Sequence, residues 1–574
     1  MGINKHLRLV GWAAWLPTRI RPERTAWATS YLAAIICLTV LSTSPAADRT
    51  VDRFGFFETS FKATGRYGNP YKDLKASAVI RRPDGAKRTL GLFWDGSDTW
   101  KLRISPDLVG QWRFKVRCAD EGLNGRTGQF TCIPSQRRGS IRPMPGFSHH
   151  FAYQDRTPFL FWGDTAWALY QDEVSEKLNR KAVYHYIDER AGQGINVMHS
   201  MLLQEAGWGN RGGDPFDSMA QDTLNPAYWQ EIDLRLRYLN DKGIIAGLAL
   251  AWGDKRKQEP FAWRLFPGVE ARKRYARYIA SRYGAYDVYF IVSGEWHAEI
   301  RTRPNTGEQE IRAEFIEIGN ALHESDAHRR MVGIHPMTQE GSVREFNRAK
   351  WMSFGDYQQN YRSLHARILE SHPYPGPIVN SEYGYFLRDS NFDGVVDKNN
   401  SFSAEAMRHA TWDILMAGGY TVTGYSTTYM GGNRDKGPFN ADDPRNDIWE
   451  LQYHVAQRFL GDLEWWKLQP HDDWIRSATP RSDDRNVRMG SRTLLRPPKT
   501  TYWLLAEPSK HYVAYVRGLK DKIIVDLGPG GGVHKASLLD PRTGKTKPVN
   551  VKTLANQCEW SPPNTEDWVL HLSN

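Results

Sequence analysis

Four cysteines in 574 residues are too few for a disulfide-built scaffold, and no set of them has the spacing of a four-ligand zinc site. The chain has no Gly-x-Ser-x-Gly elbow, so the usual serine-hydrolase signature is missing. No glycine-rich phosphate loop follows an early strand, which argues against an open doubly wound nucleotide-binding sheet. Lys and Arg are dispersed rather than gathered in one stripe or arm, and no recognised nucleic-acid-binding motif is present, so nucleic acid is not an expected partner. Internal repeats and low-complexity tracts are absent. Long apolar runs are also scarce: the one at residues 31–41 is too short to span a bilayer comfortably.

What the chain does have is aromatic side chains, 12% of residues with 22 Trp among them, and a net charge of +11. Planar side chains in such number suit stacking on sugar rings, and the positive charge suits an acidic polymer such as a sulfated or uronic polysaccharide. At this length about three domains are expected. Residues 1–47 read as a signal peptide or signal anchor. Lys5, Arg8, Arg19, Arg21 and Arg24 precede the apolar run, and Ser42-Thr43-Ser44-Pro45-Ala46-Ala47 supplies small residues for cleavage. The expected location is therefore secreted, periplasmic or on the surface of a bacterium, with no stable membrane insertion after cleavage. Cys118 and Cys132 flank a turn, Glu121-Gly122-Leu123-Asn124-Gly125, and are expected to pair after export. Cys558 is expected to be a buried small apolar residue.

Residues 52–135 read as short strands punctuated by Pro83-Asp84-Gly85, Asp95-Gly96 and Asn124-Gly125, the spacing of an immunoglobulin-like β-sandwich. A basic, proline-bearing connector at 135–145 marks a boundary. From 147 to 465 strands alternate with longer helices. Expected strands lie at 159–163, 195–203, 243–251, 286–293, 330–335, 351–357, 377–381 and 419–425. Eight strands with interleaved helices fit a central α/β TIM (β/α)₈ barrel in count and size. Residues 470–574 return to short strands, read as a second flanking β-sandwich.

Barrel enzymes carry their catalytic groups at the C-terminal ends of the strands. In strand order this sequence puts there Asp164 and Trp167, Gln204 and Trp208, Trp252, then Glu295 with Trp296 and His297. His335, Asp356 with Tyr357, and Glu382 with Tyr383 follow. An acid-rich, aromatic mouth of this kind suits hydroxyl recognition and ring stacking. Glycoside cleavage needs one carboxylic acid to protonate the leaving oxygen and one carboxylate to attack or to activate water. Glu295 after the fourth strand is assigned as acid/base and Glu382 after the seventh as nucleophile; Asp164, Trp167, Gln204, Trp208, Trp252, Trp296, His297, His335, Tyr357 and Tyr383 are assigned to substrate binding. No metal site or cofactor is expected: Glu295, His297 and Glu299 would not converge on one ion. The loop Asp389-Ser390-Asn391-Phe392-Asp393-Gly394 matches half of a calcium loop but has Asn400 at its twelfth position. A non-catalytic carbohydrate- or matrix-binding protein on a degenerate barrel is the alternative reading, and a polysaccharide lyase is a third.

Phe57-Glu58, Phe161-Trp162-Gly163-Asp164-Thr165-Ala166-Trp167, Val292-Ser293-Gly294-Glu295 and Asn380-Ser381-Glu382-Tyr383, in this order, resemble the apiosidase-like glycoside hydrolases. That resemblance implies a retaining (β/α)₈ glycosidase with acid/base and nucleophile after strands four and seven, acting on a plant or algal polysaccharide. The tail, with Asp540-Pro541-Arg542-Thr543-Gly544 and Pro562-Pro563 before Asp567-Trp568, resembles a small β-domain type named for collagen binding. The chain departs from the family at Ser293-Gly294-Glu295, where apiosidase-type members have Gly-Gly-Asp and the wider clan often has Asn before the acid, so apiose specificity is not implied.

Overall fold

The computed structural model describes residues 49–574, except 175–176, 205–206, 254–259, 338–340, 359–363, 387–401, 424–444, 483–498 and 529–530. The targeting segment and the calcium-like loop therefore lie outside the described residues.

The centre is an eight-stranded parallel sheet. Its strands are β1 (Trp162–Thr165), β2 (Val197–Met201), β3 (Ile245–Ala249), β4 (Val288–Ile291), β5 (Val332–Gly333), β6 (Gly355–Tyr357), β7 (Ile378–Asn380) and β8 (Tyr420–Thr423). They run in the order β5-β4-β3-β2-β1-β8-β7-β6, and β1 pairs with β8 (Gly163↔Val422). The remaining seam is bridged where Val332 meets Met352 in parallel, with the Ser353 N–H donating to the Val332 carbonyl at 2.9 Å. The strands thus make a nearly closed barrel. Helices follow the strands, among them Arg180–Gly192, Pro226–Asp241, Val269–Tyr283, Glu308–Ser325, Leu364–Ser371, Ala404–Leu415 and Arg445–Gly461. Asn225 caps the second of these through a side-chain bond from the Ala227 N–H, with Pro226 in the first turn.

Strand parity separates two cores, because successive side chains point to opposite faces. Phe161, Val197, Met201, Ile245, Tyr289, Ile291, Val379 and Val422 fill the barrel interior. Trp162, Met198, Ala246, Leu248, Val288, Phe290 and Ile378 face the helix layer. The N-terminal end of the barrel is plugged by a three-stranded antiparallel sheet, Ile141–Met144, Phe147–Tyr153 and Pro158–Phe159. Phe151 and Phe159 of this sheet lie in the interior cluster, and the Ser140 hydroxyl donates to the Val288 carbonyl at 2.9 Å. The first barrel strand accordingly begins at Trp162, later than the expected 159, because Pro158–Phe159 pairs with the plug.

Residues 50–133 form a five-stranded and a three-stranded sheet around one apolar core. Arg103 ties them to the barrel helices: its Nη1 donates to Asp233 Oδ1 and to the Arg282 carbonyl, both at 2.9 Å. Residues 469–573 form a six-stranded and a four-stranded sheet around another core. The expected Cys118–Cys132 disulfide does not form; both cysteines are free. In the antiparallel hairpin Cys132 stands opposite Gly110, the first residue of strand Gly110–Arg117, whereas Cys118 follows its last. Eight residues of extended chain, roughly 27 Å, separate the two thiols' positions. Cys558 is buried in the C-terminal core. Among the described residues no helix is long and apolar enough to cross a membrane.

Candidate active site

Inward parity brings His199, Tyr289, Ser293, His335, Asp356 and Ser381 toward the C-terminal end of the barrel, all of them wholly or almost wholly buried. At the centre is His335, with no solvent exposure. Its Nε2 lies 3.3 Å from Glu382 Oε2 and its Nδ1 lies 3.3 Å from Asp356 Oδ2 and 2.8 Å from the Ser381 hydroxyl. Ser381 in turn donates to Asp356 Oδ1, and the Asp356 N–H donates to the Ser342 hydroxyl at 2.8 Å. Burial alone would strip the proton from this imidazole, but the charges and hydrogen bonds of Asp356 and Glu382 outweigh it and push its pKa up to about 10. At neutral pH an imidazolium therefore sits beside Glu382. His199 is the opposite case. Burial, with the His335 charge adding to it, lowers His199 to about 3, so it is neutral, and it hydrogen bonds to the Tyr289 hydroxyl.

Glu295 is held differently. The Gln358 amide donates to Glu295 Oε1 at 3.0 Å, and the glutamate is 7% exposed. Its backbone adopts φ +39°, the left-handed region that L residues avoid. Strain of this kind costs about 1–3 kcal/mol and clusters at functional sites. The turn it makes leads straight into helix Ala298–Thr302, and the Ala298 N–H donates back to the Glu295 carbonyl at 2.8 Å. The preceding Gly294 bridges Trp252 in parallel, and a Cβ on it would lie 1.8 Å from Trp252 Cε3. The indole occupies the space a side chain would need. Trp252 stands edge-on to Trp167, with ring centroids 4.8 Å apart, and 5.2 Å from His335. Trp167 Nε1 donates to the Tyr385 hydroxyl at 3.0 Å. The two halves are linked through the backbone, since the His335 N–H donates to the Ser293 carbonyl at 2.9 Å. Buried Glu295, which accepts from the Gln358 amide, and partly buried Glu382, beside His335, thus stand with Trp167 and Trp252 at the active-site end of the barrel.

Residues 147–433, half of the chain, match the family described as Apiosidase-like, catalytic domain. The chain belongs to the apiosidase-like family. It is an enzyme of the glycoside hydrolase class. Residues 50–119 match a domain of unknown function, DUF5060. The fold resembles that of a Bacteroides vulgatus protein provisionally assigned as a glycoside hydrolase, at 17% identity over 92% of this chain and 100% of that one, with TM-score 0.68. It also resembles a family 5 glycoside hydrolase from Bacteroides vulgatus, at 15% identity over 76% and 94% of the two chains, with TM-score 0.59. A further glycoside hydrolase shares the fold at 16% identity over 76% and 97%, with TM-score 0.59. No curated protein matches the chain.

Of the residues assigned to substrate binding in this apiosidase-like enzyme, the structure gathers Trp167, Trp252 and His335 with the two glutamates. Four others face the wall. Asp164 is fully buried on the outward side of β1, 2.8 Å from Arg190 Nε, and accepts from the Tyr186 hydroxyl at 2.5 Å, both on helix Arg180–Gly192. Parity decides this: Phe161 points inward, so Asp164 points outward. Tyr357 follows inward Asp356 and for the same reason bonds outward to Ser371. Tyr383 reaches Thr411 of helix Ala404–Leu415 at 2.7 Å, and Trp296 packs against Phe315 and Phe346 in the helix layer. His297 lies tilted against Trp296 with centroids 3.9 Å apart and accepts the Met337 N–H at Nδ1, 3.2 Å away; burial lowers it to about 4, so it is neutral and braces the turn after β5. Gln204 is buried at the end of β2, where its carbonyl accepts the Gly207 N–H at 3.0 Å, and Trp208 is half-buried against the helix-layer core. Gln358, Ser381 and Tyr385 were not among the expected site residues. Gln358 stands two residues after inward Asp356 and so shares its side, a signal that extending the period-two pattern past the strand end would have caught.

Proposed function

We propose that the enzyme hydrolyses glycosidic bonds of a plant or algal polysaccharide with net retention, Glu382 acting as nucleophile and Glu295 as acid and then base. The observation that carries this is the buried His335 side chain, held by Asp356 and Ser381, with its Nε2 3.3 Å from Glu382 Oε2. A nucleophile must be anionic when substrate arrives, and an adjacent cation favours that form. The Gln358 amide, donating at 3.0 Å, fixes the orientation of Glu295, the carboxyl that meets the leaving oxygen. In that step the Glu382 carboxylate bonds to the anomeric carbon, the glycosidic C–O bond breaks, and Glu295 gives its proton to the leaving oxygen. Water then attacks the glycosyl-enzyme, Glu295 takes the proton, and Glu382 is released. Trp167 and Trp252 supply the aromatic floor for the sugar ring.

The +11 net charge favours an anionic polysaccharide, and residues 1–47 favour action outside the bacterial cytoplasm. A screen of polysaccharides for released reducing ends identifies the substrate. NMR of the first-formed product then tests the mechanism: the anomer of the substrate supports it, whereas the opposite anomer shows that the second carboxylate activates water. An unsaturated, ultraviolet-absorbing product would instead mark a lyase.

A further inference from the structure

The C-terminal sheets touch the barrel on the two helices that lie behind the active site. Trp503, Leu505, Val513, Tyr515, Leu539 and Val569 belong to the same apolar cluster as the barrel's helix layer. On helix Ala404–Leu415, Arg408 clamps Asp567 with bonds of 2.8 and 2.9 Å, and Trp412 stacks on Tyr515 at 5.4 Å between centroids and 8° between planes. Asp413, fully buried, accepts from Trp503 Nε1 at 2.9 Å and from Arg517 Nη2 at 3.0 Å. On helix Leu364–Ser371, His365 donates from Nδ1 to the Asp413 carbonyl at 2.9 Å, reaches Asp472 through Nε2 at 2.6 Å, and stacks on Trp503 at 3.8 Å.

Each helix then passes the restraint inward by the same device. The Thr411 hydroxyl gives its one proton to the Met407 carbonyl at 2.9 Å, so the Tyr383 hydroxyl 2.7 Å away must donate to it. The Ser371 hydroxyl gives its proton to the Arg367 carbonyl at 2.9 Å and accepts from Tyr357. Tyr383 is the neighbour of Glu382, and Tyr357 lies between Asp356 and Gln358. One tyrosine is thus staked beside the nucleophile and the other beside the residue that holds the acid.

We propose that the C-terminal sheets are a brace for the active site rather than an appended binding module, with Asp413 as the positioning residue where both helices and the sheet meet. The proposal rests on Glu382 and Glu295 being the reacting pair. Asp413→Asn keeps shape while weakening the junction. With the protein folded by circular dichroism at the assay temperature, kcat on the polysaccharide identified by the screen falls at least tenfold while KM stays within twofold. In a double-mutant cycle with Tyr383→Phe the two effects are not additive, because both act through the same helix. Lys522→Met, which breaks an exposed ion pair to Glu559 within the C-terminal sheets, leaves kcat unchanged. Wild-type kcat in folded Asp413→Asn, or additive effects in the cycle, overturns the brace. If Asp413→Asn does not fold, Thr411→Val decides: a fivefold or larger loss of kcat supports the brace and an unchanged kcat overturns it. Glu382→Gln separates this from the underlying reading, since activity retained there refutes the reacting pair whatever the brace variants do.

Discussion

Gly294→Ala is a single-methyl perturbation whose consequence can be worked from the packing. The added carbon would lie 1.8 Å from Trp252 Cε3, 2.0 Å from Cζ3 and 2.3 Å from Cδ2. Carbon contacts settle at roughly 3.5–4.0 Å, so the ring and the backbone must part by about 1.5–2 Å. The indole is hemmed in by Trp167 and His335, so part of the movement falls on the backbone that carries Glu295. Overpacking of this kind costs about 1–3 kcal/mol of stability. A displacement of about 1 Å at a reacting group costs roughly 100-fold in rate, equivalent to about 2.7 kcal/mol of transition-state stabilisation. Thermal unfolding and steady-state kinetics on purified protein measure both. The expected outcome is a melting point lowered by a few degrees and kcat lowered about 100-fold, with the melting point partly restored in Gly294→Ala/Trp252→Leu. Wild-type kcat and melting point in Gly294→Ala would refute the claim that Trp252 dictates the glycine.

His335 carries a pH dependence with a definite sign. Its folded value, about 10, lies above the ordinary 6.5, so the stability it contributes is fully present below pH 6.5 and is lost as pH rises through about 10. Urea unfolding at pH 6, 8 and 10 should show a decline that His335→Gln lacks, and kcat should fall on the alkaline side in the wild type. Asp164→Ala breaks a buried ion pair and should cost about 3–5 kcal/mol by chemical unfolding while leaving KM within twofold; a specific rise in KM with stability intact would return Asp164 to the substrate. If the substrate is anionic, kcat/KM should fall as salt rises from 0.05 to 0.5 M because exposed charges are screened beyond about 10 Å at 0.1 M; salt-insensitive turnover would remove the anionic preference.

How much of this was legible beforehand follows from the range of each interaction. The eight strands were readable because apolar runs are local: the expected stretches 195–203, 243–251 and 286–293 contain the strands Val197–Met201, Ile245–Ala249 and Val288–Ile291. Both glutamates could be placed just past their strands because strand ends are local too. The orientation of their neighbours was not, because an aromatic or acid at a strand end looks the same whether it faces the mouth or the wall. Asp164 is settled by Arg190 on the following helix, Tyr383 by Thr411 and Tyr357 by Ser371, partners that only packing brings together. The cysteine pair misled because a turn between two thiols does not reveal register, which places Cys132 opposite Gly110. The sequence shows Gly294 as a departure from the family without showing its cause, which Trp252, on a different strand end, supplies.

The most direct test of the central claim is covalent trapping. A 2-deoxy-2-fluoro glycoside of the substrate sugar with a good leaving group slows the second step of a retaining enzyme more than the first, so the glycosyl-enzyme accumulates. Intact-mass and peptide analysis should show one added glycosyl group on the peptide bearing Glu382, and none on the Glu382→Gln variant. A label on Glu295, or no label at all together with a first-formed product of inverted configuration, would contradict the assignment.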